Sequence, residues 1–279
     1  MSIPAYATTS ERVSYYALRV FVGAVLLFLM APILAIMPLS FNSESFFSYP
    51  MPGFSTKWYL GEQGFFTNSR WTDALKLSVI VALATTFLAT CLGTLAALGL
   101  SRSNFPARAT VMAILISPMI VPVIISAIGL FFFYAFVGLN GTIIGIILAH
   151  TALATPFVVI TVTATLMSFD RTLMRAGASL GASPQTVFFK VVLPLILPGV
   201  ISGALFAFVT SFDEVIVILF IGGPEQRTLP RQMFSGIREQ ISPTITAAAS
   251  VLIVFSTILL VTVELLRRRG ERLRGIRPS

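Results

Sequence analysis

The sequence predicts an all-α integral membrane protein of six transmembrane helices, and three observations carry that expectation. Of the 279 residues 56% are hydrophobic and only 11% charged, with a mean hydropathy of +0.91; a soluble domain carries about twice that share of charge. The apolar residues gather into six runs, each long enough to cross roughly 30 Å of hydrocarbon. The basic residues sort unevenly between the two ends of those runs.

Composition also removes several function classes. Cys91 is the single cysteine and His150 the single histidine, so neither an intramolecular disulfide nor a Cys/His metal cluster is available. A net charge of +8 in a soluble chain would suggest nucleic acid, but here membrane topology accounts for it and no nucleic-acid partner is expected. No GxxxxGK[ST] loop occurs, and no polar segment is long enough to hold an ATPase.

Taken in order, residues 1–17 are polar and lead to the first span, about 18–40, which contains Pro32 and Pro38 and is expected to be interrupted there. A secretory signal would have an apolar core of only about 7–15 residues and a small-residue cleavage site, so this helix is expected to be retained. Trp58, Tyr59 and Trp71 follow in a polar segment and suit a membrane interface, where a ring is buried and its polar atom stays wet. The second span, 74–100, is rich in Ala, Thr and Gly, including Gly93 and Gly99, which favours close helix approach. A turn with Arg102 and Arg108 leads to the third span, 110–136, whose Pro118 and Pro122 leave carbonyls for neighbours to satisfy. A tight turn at Gly138–Gly141 precedes the fourth span, 142–166. The fifth span runs 197–221 to Gly222-Gly223-Pro224, and the sixth, 244–266, ends in an arginine tail of Arg267, Arg268, Arg269, Arg272, Arg274 and Arg277.

Six spans place both termini on one side. Thirteen of the nineteen basic residues fall on that side, and six fall on the other: Lys57, Arg70, Lys76, Arg227, Arg231 and Arg238. The excess marks the cytoplasmic face. A single membrane domain with both termini inside is therefore expected, and the arginine tail is compatible with anionic lipid.

The longest polar interruption on that face is the loop 167–196, with the sequence MSFDRTLMRAGASLGASPQTVFFKVVLPLI. Asp170 suits an N-cap, Thr172 to Leu180 reads as a short helix, and Gly181 stops it. Ser183-Pro184 restarts a helix with proline in its first turn. Ala176, Gly181, Leu193 and Pro194 fall on the spacing of the EAA loop, with Val191 in its isoleucine position. The chain thus resembles the permease subunits of binding-protein-dependent ABC importers. It departs from the motif at Arg175, in the glutamate position, and at Gly177, in the second alanine position. The resemblance implies a type I ABC importer permease fold in the bacterial inner membrane. It also implies a coupling helix that engages an ATPase subunit through Arg175, Ala176, Gly177, Ser179, Leu180, Gly181, Ala182, Ser183, Leu193 and Pro194. The implied partners are two ATP-binding subunits that use ATP and Mg, a second permease chain of different but homologous sequence, and a periplasmic or extracellular solute-binding protein. This chain itself would bind no cofactor and catalyse nothing.

Asp213 and Glu214 are adjacent acids inside the fifth run, where a carboxylate is expected to face a bundle interior or a wet cavity. On one continuous helix Phe206, Thr210, Asp213 and Val217 share a face, which suits an organic cation through charge pairing and cation–π contact. The alternative is that these acids are structural. The run TSFDEVIVILFIGGP with TLPRQMFSGIREQISPTI resembles the spermidine/putrescine branch of these permeases, and the second permease subunit within it. That resemblance implies a polyamine or related organic cation; an opine or another small organic solute is the alternative. Leu229, Met233, Ile237 and Ile241 recur at intervals of four and read as an amphipathic external helix, with Arg231, Gln232, Arg238 and Glu239 on its other faces. His150 is expected to pack or hydrogen-bond inside its span. Two rival classes are a proton- or ion-coupled secondary transporter, for which intramembrane acids and broken helices are also a signature, and a membrane enzyme, for which the sequence offers no clustered nucleophile.

Overall fold

The structure, a computed structural model, describes residues 6, 8–48, 50–102, 105–167, 169–170, 172–239 and 241–273. Arg171, Arg274 and Arg277 lie outside them. The chain forms two compact units. One comprises residues 1–68 with 239–255, the other residues 69–238 with 256–279.

In the first unit, α1 (Thr9–Leu39) begins nine residues before the apolar run. Thr8 and Glu11 form a reciprocal capping box there, each side chain accepting from the other's backbone N–H. The helix passes through Pro32 and Pro38 without ending, against the expected interruption, and none of its residues is buried. The short α2 (Lys57–Leu60) follows. Trp58 is buried and its indole N–H donates to the Asn42 carbonyl at 2.7 Å, while Tyr59 shares a 2.6 Å hydrogen bond with Ser40. The Trp58 ring therefore satisfies its polar atom within the protein and not at a wet interface. The Thr244 hydroxyl, at the start of the last helix, donates to the Gln63 carbonyl.

The second unit is built on three mutually packed helices: α3 (Ser69–Leu100), α6 (Ile143–Met167) and α9 (Leu193–Phe212). Small residues set their spacing. A β-carbon on Gly93 of α3 would lie 2.6 Å from Val158 Cβ, and one on Gly203 of α9 would lie 3.0 Å from Val158 Cα. Gly199 faces Thr165 of α6 in the same way, so Gly199-x-x-x-Gly203 is a close-approach stripe. Gly99 has no such neighbour: a β-carbon there would find its nearest atom 4.0 Å away, on Phe105.

The third apolar run is not one helix. It forms α4 (Arg108–Ile120) and α5 (Val123–Val137), bent by 101°. The cause is local: Pro122 lacks an N–H, and Val121 before it is extended at φ −70°, ψ 131°. Gly138 and Gly141, both at positive φ, turn the chain into α6.

After α6 come α7 (Thr172–Ser179) and α8 (Pro184–Val187). A five-residue π-helical segment, Phe188–Val192, then joins α8 to α9, so the fifth helical stretch starts well before residue 197. It also ends early. After Phe212 the helix breaks, and α10 (Ile216–Ile221) resumes it. The expected continuous span 197–221 is thus two pieces. The chain continues through α11 (Leu229–Glu239) to α12 (Pro243–Leu273). In length and composition α1, α3, α6, the stretch Pro184–Phe212 and the start of α12 can each cross a membrane, and the bent α4–α5 pair makes a sixth candidate.

Candidate functional site

Two groups of residues stand out, both in the second unit: the polar segment after α6 and the acids at the break after α9.

In the polar segment, Asp170 accepts from the Thr172 backbone N–H at 2.8 Å and from its hydroxyl at 2.7 Å. Those bonds hold the carboxyl below its ordinary range and fix the start of α7. The helix ends in a Schellman arrangement: Ala182 N–H donates to the Gly177 carbonyl and Gly181 N–H to the Ala178 carbonyl, with Gly181 at φ +79°. Ser183 then caps α8 through the Thr186 N–H, with Pro184 in the first turn. A β-carbon at Gly177 would already stand 3.1 Å from Val187, so a small residue there lets α7 lie on α8. Arg175, Ala176, Ser179, Leu180, Gly181 and Ser183 are exposed, Leu180 to 88%. Ala182 and Leu193 instead pack against the buried cluster around Val187, Val192 and Ile196, while Pro194 is exposed. The ten residues do not form one surface. The outward set projects from α7 and its stop, and Leu193 belongs to the bundle. Beneath α7 lies a cavity of about 450 Å³, bordered by Leu98, Arg102, Leu166, Phe169, Met174 and Phe188.

The second group is arranged by the helix break. Ser211 and Phe212, at the end of α9, are buried, and Ser211 shares a 2.9 Å hydrogen bond with His150 of α6. His150 Nε2 is buried without a partner among the described residues. On the far side of the break, Val217, Ile218 and Ile221 of α10 are buried with Ala127 and Tyr134 of α5. Asp213, between these anchored pieces, is exposed, and its carboxylate has no hydrogen-bond or ion-pair partner among the described residues. Glu214 differs: its Oε1 accepts from the Val217 N–H at 2.9 Å.

The four-residue face expected of a continuous helix is therefore corrected. Phe206 is 49% exposed and Thr210 half-buried on the same helix that leads to Asp213, but Val217 is fully buried in the α5–α6–α10 cluster. Phe206 stacks on Phe157 of α6 with centroids 6.0 Å apart. Chemically, the exposed carboxylate can pair with a cationic group. Among the described residues no three His, Cys, Asp or Glu side chains come together as metal ligands.

The α11 face also differs from the four-residue period. Leu229 and Gln232 are buried, whereas Ile237 is 54% exposed. Leu229 N–H donates to the Ser78 hydroxyl of α3. Arg231 is half-buried and donates from Nη1 to the Gly223 and Gln226 carbonyls at 2.7 and 2.9 Å. Burial, with Arg227 beside it, lowers its pKa from the ordinary guanidinium value.

Comparison with known proteins places these features in a family. Residues 89–272 match the family described as "Binding-protein-dependent transport system inner membrane component". The spermidine/putrescine transport system permease protein PotC of Haemophilus influenzae is 32% identical over 92% of this chain and 98% of its own length. The putrescine transport system permease protein PotI of Escherichia coli (strain K12) is 34% identical over 81% of this chain and 82% of its own. Among solved structures, a chain of a bacterial ABC transporter involved in the import of the acidic polysaccharide alginate is similar in fold at a TM-score of 0.72 and 14% identity. That match covers 95% of this chain and 99% of the other.

Proposed function

The chain belongs to the family of binding-protein-dependent transport system inner membrane components, and from that membership we propose that it forms half of an ATP-driven uptake path for a polyamine or a closely related organic cation. As a member it is a multi-pass, non-catalytic permease subunit of an ABC importer in the bacterial inner membrane. Such subunits assemble with ATPase subunits, a partner permease and a solute-binding protein. In this reading the ATPase subunits are two, the second permease is a different homologous chain, and both termini are cytoplasmic.

The observation that carries the cationic substrate is Asp213: an exposed carboxylate at a helix break inside an apolar stretch, with no partner of its own among the described residues. A charge in such a place is costly unless it faces a wet path and meets an opposite charge. Phe206 and Thr210, on the same helix, line that path with it. The names of the two relatives, spermidine/putrescine and putrescine permeases, agree in solute class. The work is mechanical. Closure of the ATPase subunits on nucleotide moves α7 and its exposed Leu180, and the π segment passes that displacement into α9.

Copurification of the tagged chain from its membranes tests the assembly. Recovery with an ATPase, a second permease and a binding protein that retains putrescine or spermidine is the expected result. A binding protein selective for an anionic or neutral solute would refute the cationic reading.

A further inference from the structure

The two adjacent acids do different work. Glu214 stands one residue before the N-cap Val215 of α10, and its Oε1 takes the Val217 N–H at 2.9 Å. A helix leaves its first N–H groups without intrahelical partners, and inside a membrane no bulk water satisfies them. Glu214 therefore meets a need that the break itself creates. Both flanks of the break are fixed: Ser211 is bonded to His150 on one side, and Val217 and Ile218 are fully buried on the other. The only exposed residue between Ser211 and Ile218 is Asp213.

We propose that Glu214 is a positioning residue for transport: by capping α10 it holds the break at the register that presents Asp213, and its charge is not used on the solute. The inference rests on the reading of Asp213 as the charged residue of the path. It distinguishes two carboxylates that the sequence treats alike. A Gln at 214 keeps an acceptor oxygen at the same reach without the charge, whereas Ala or Met removes the acceptor. If Glu214 met the cation directly, Gln would be as damaging as Ala.

The test uses the assembled transporter in proteoliposomes with its binding protein, at matched complex levels. Glu214→Gln is expected to keep ATP-driven uptake of labelled putrescine within about twofold of the parent, and Glu214→Ala to lower it about tenfold, the scale of a lost helix cap. Glu214→Met, which keeps the length of the side chain without an acceptor, replaces Ala if Ala does not assemble. A second readout does not depend on the solute. With Cys91, which is exposed, replaced by serine, the rate at which a cationic thiol reagent modifies Asp213→Cys is expected to change at least threefold or so with Ala or Met at 214 and to stay unchanged with Gln.

Equal losses for Gln and Ala overturn the proposal, because the charge is then in use. Unchanged uptake and unchanged labelling with Ala or Met overturn it as well. If labelling responds to position 214 but Asp213→Asn transports normally, the path reading of Asp213 fails while the positioning role of Glu214 stands.

Discussion

Val158 of α6 is keyed against Gly93 of α3, where an added β-carbon would come within 2.6 Å of the valine Cβ. Gly203 of α9 meets the same stretch of α6: an added β-carbon there would stand 2.6 Å from the Thr161 hydroxyl and 3.0 Å from Val158 Cα, so one turn of α6 sets its distance from both neighbours. Val158 Cβ and Cα cannot swing away as the end of a long side chain would.

Gly93→Val and Gly203→Val are each expected to destabilise the complex by about 1–3 kcal/mol, the range for overpacking a filled interior. Gly99→Ala, where the nearest atom is 4.0 Å away, is expected to be tolerated. Thermal unfolding of the detergent-solubilised complex, comparing the three variants, reads the difference. Equal melting temperatures would contradict the keyed arrangement.

At Gly181 the constraint is backbone conformation and not space, since φ is +79° and no atom lies within 4 Å of a β-carbon. Gly181→Asn, which tolerates the left-handed region, is expected to keep most solute-stimulated ATP hydrolysis. Gly181→Val is expected to lose most of it, because a left-handed β-branched residue costs roughly 1–2 kcal/mol or more and re-aims α7. Gly181→Asp adds a charge at the exposed turn and is expected to lower coupling while membrane insertion persists. Normal stimulated hydrolysis in all three would dissociate this turn from coupling.

Arg231 ties the Gly223 and Gln226 carbonyls into one corner. Arg231→Met is expected to lower stability by about 1.5–3 kcal/mol, the worth of hydrogen bonds to a charged group. Arg231→Lys should restore it only in part, because the lysine ammonium ends one bond short of the Nη1 that makes both contacts. Chemical denaturation of the purified complex measures this, and an Arg231→Met complex as stable as the parent would contradict a stabilising tie to the two carbonyls.

The excess of Lys and Arg around the Ser101–Ala109 turn and the tail predicts sidedness. In a Cys91→Ser background, Ala109→Cys should be shielded from an impermeant thiol reagent in intact cells, and Glu225→Cys should be labelled. The reverse pattern would invert the topology.

Local signals in the sequence are legible where one residue type decides one conformation. Gly181 stops α7 because only a residue at ease with positive φ completes the Schellman bonds, and Ser183-Pro184 starts α8 by the same kind of local rule. The break after Phe212 is not legible, because SFDEVIVILF satisfies an apolar helical run throughout. What accompanies the break is a side chain, Glu214, that caps the resumed helix at Val217, with tertiary burial holding both flanks. Pro122 announces a perturbation but not its size: the 101° bend follows from the extended backbone that Val121 adopts before it, which a proline does not by itself fix. The Gly199-x-x-x-Gly203 stripe carries a readable signal that attention to the α3 glycines passes over. On α11 the period of four announces the helix but not which of its residues pack inward: Gln232 is buried and Ile237 is exposed.

Asp213 is proposed to supply the charge that a cationic solute meets on its way through the membrane. ATP-driven uptake of labelled putrescine and spermidine into proteoliposomes, with the parent complex and with Asp213→Asn at matched levels, tests it most directly. The parent is expected to show ATP-dependent uptake and the variant a loss of roughly 5- to 150-fold, the equivalent of about 1–3 kcal/mol, with binding-protein affinity unchanged. Uptake by Asp213→Asn equal to that of the parent, or no polyamine uptake by the parent itself, would contradict it.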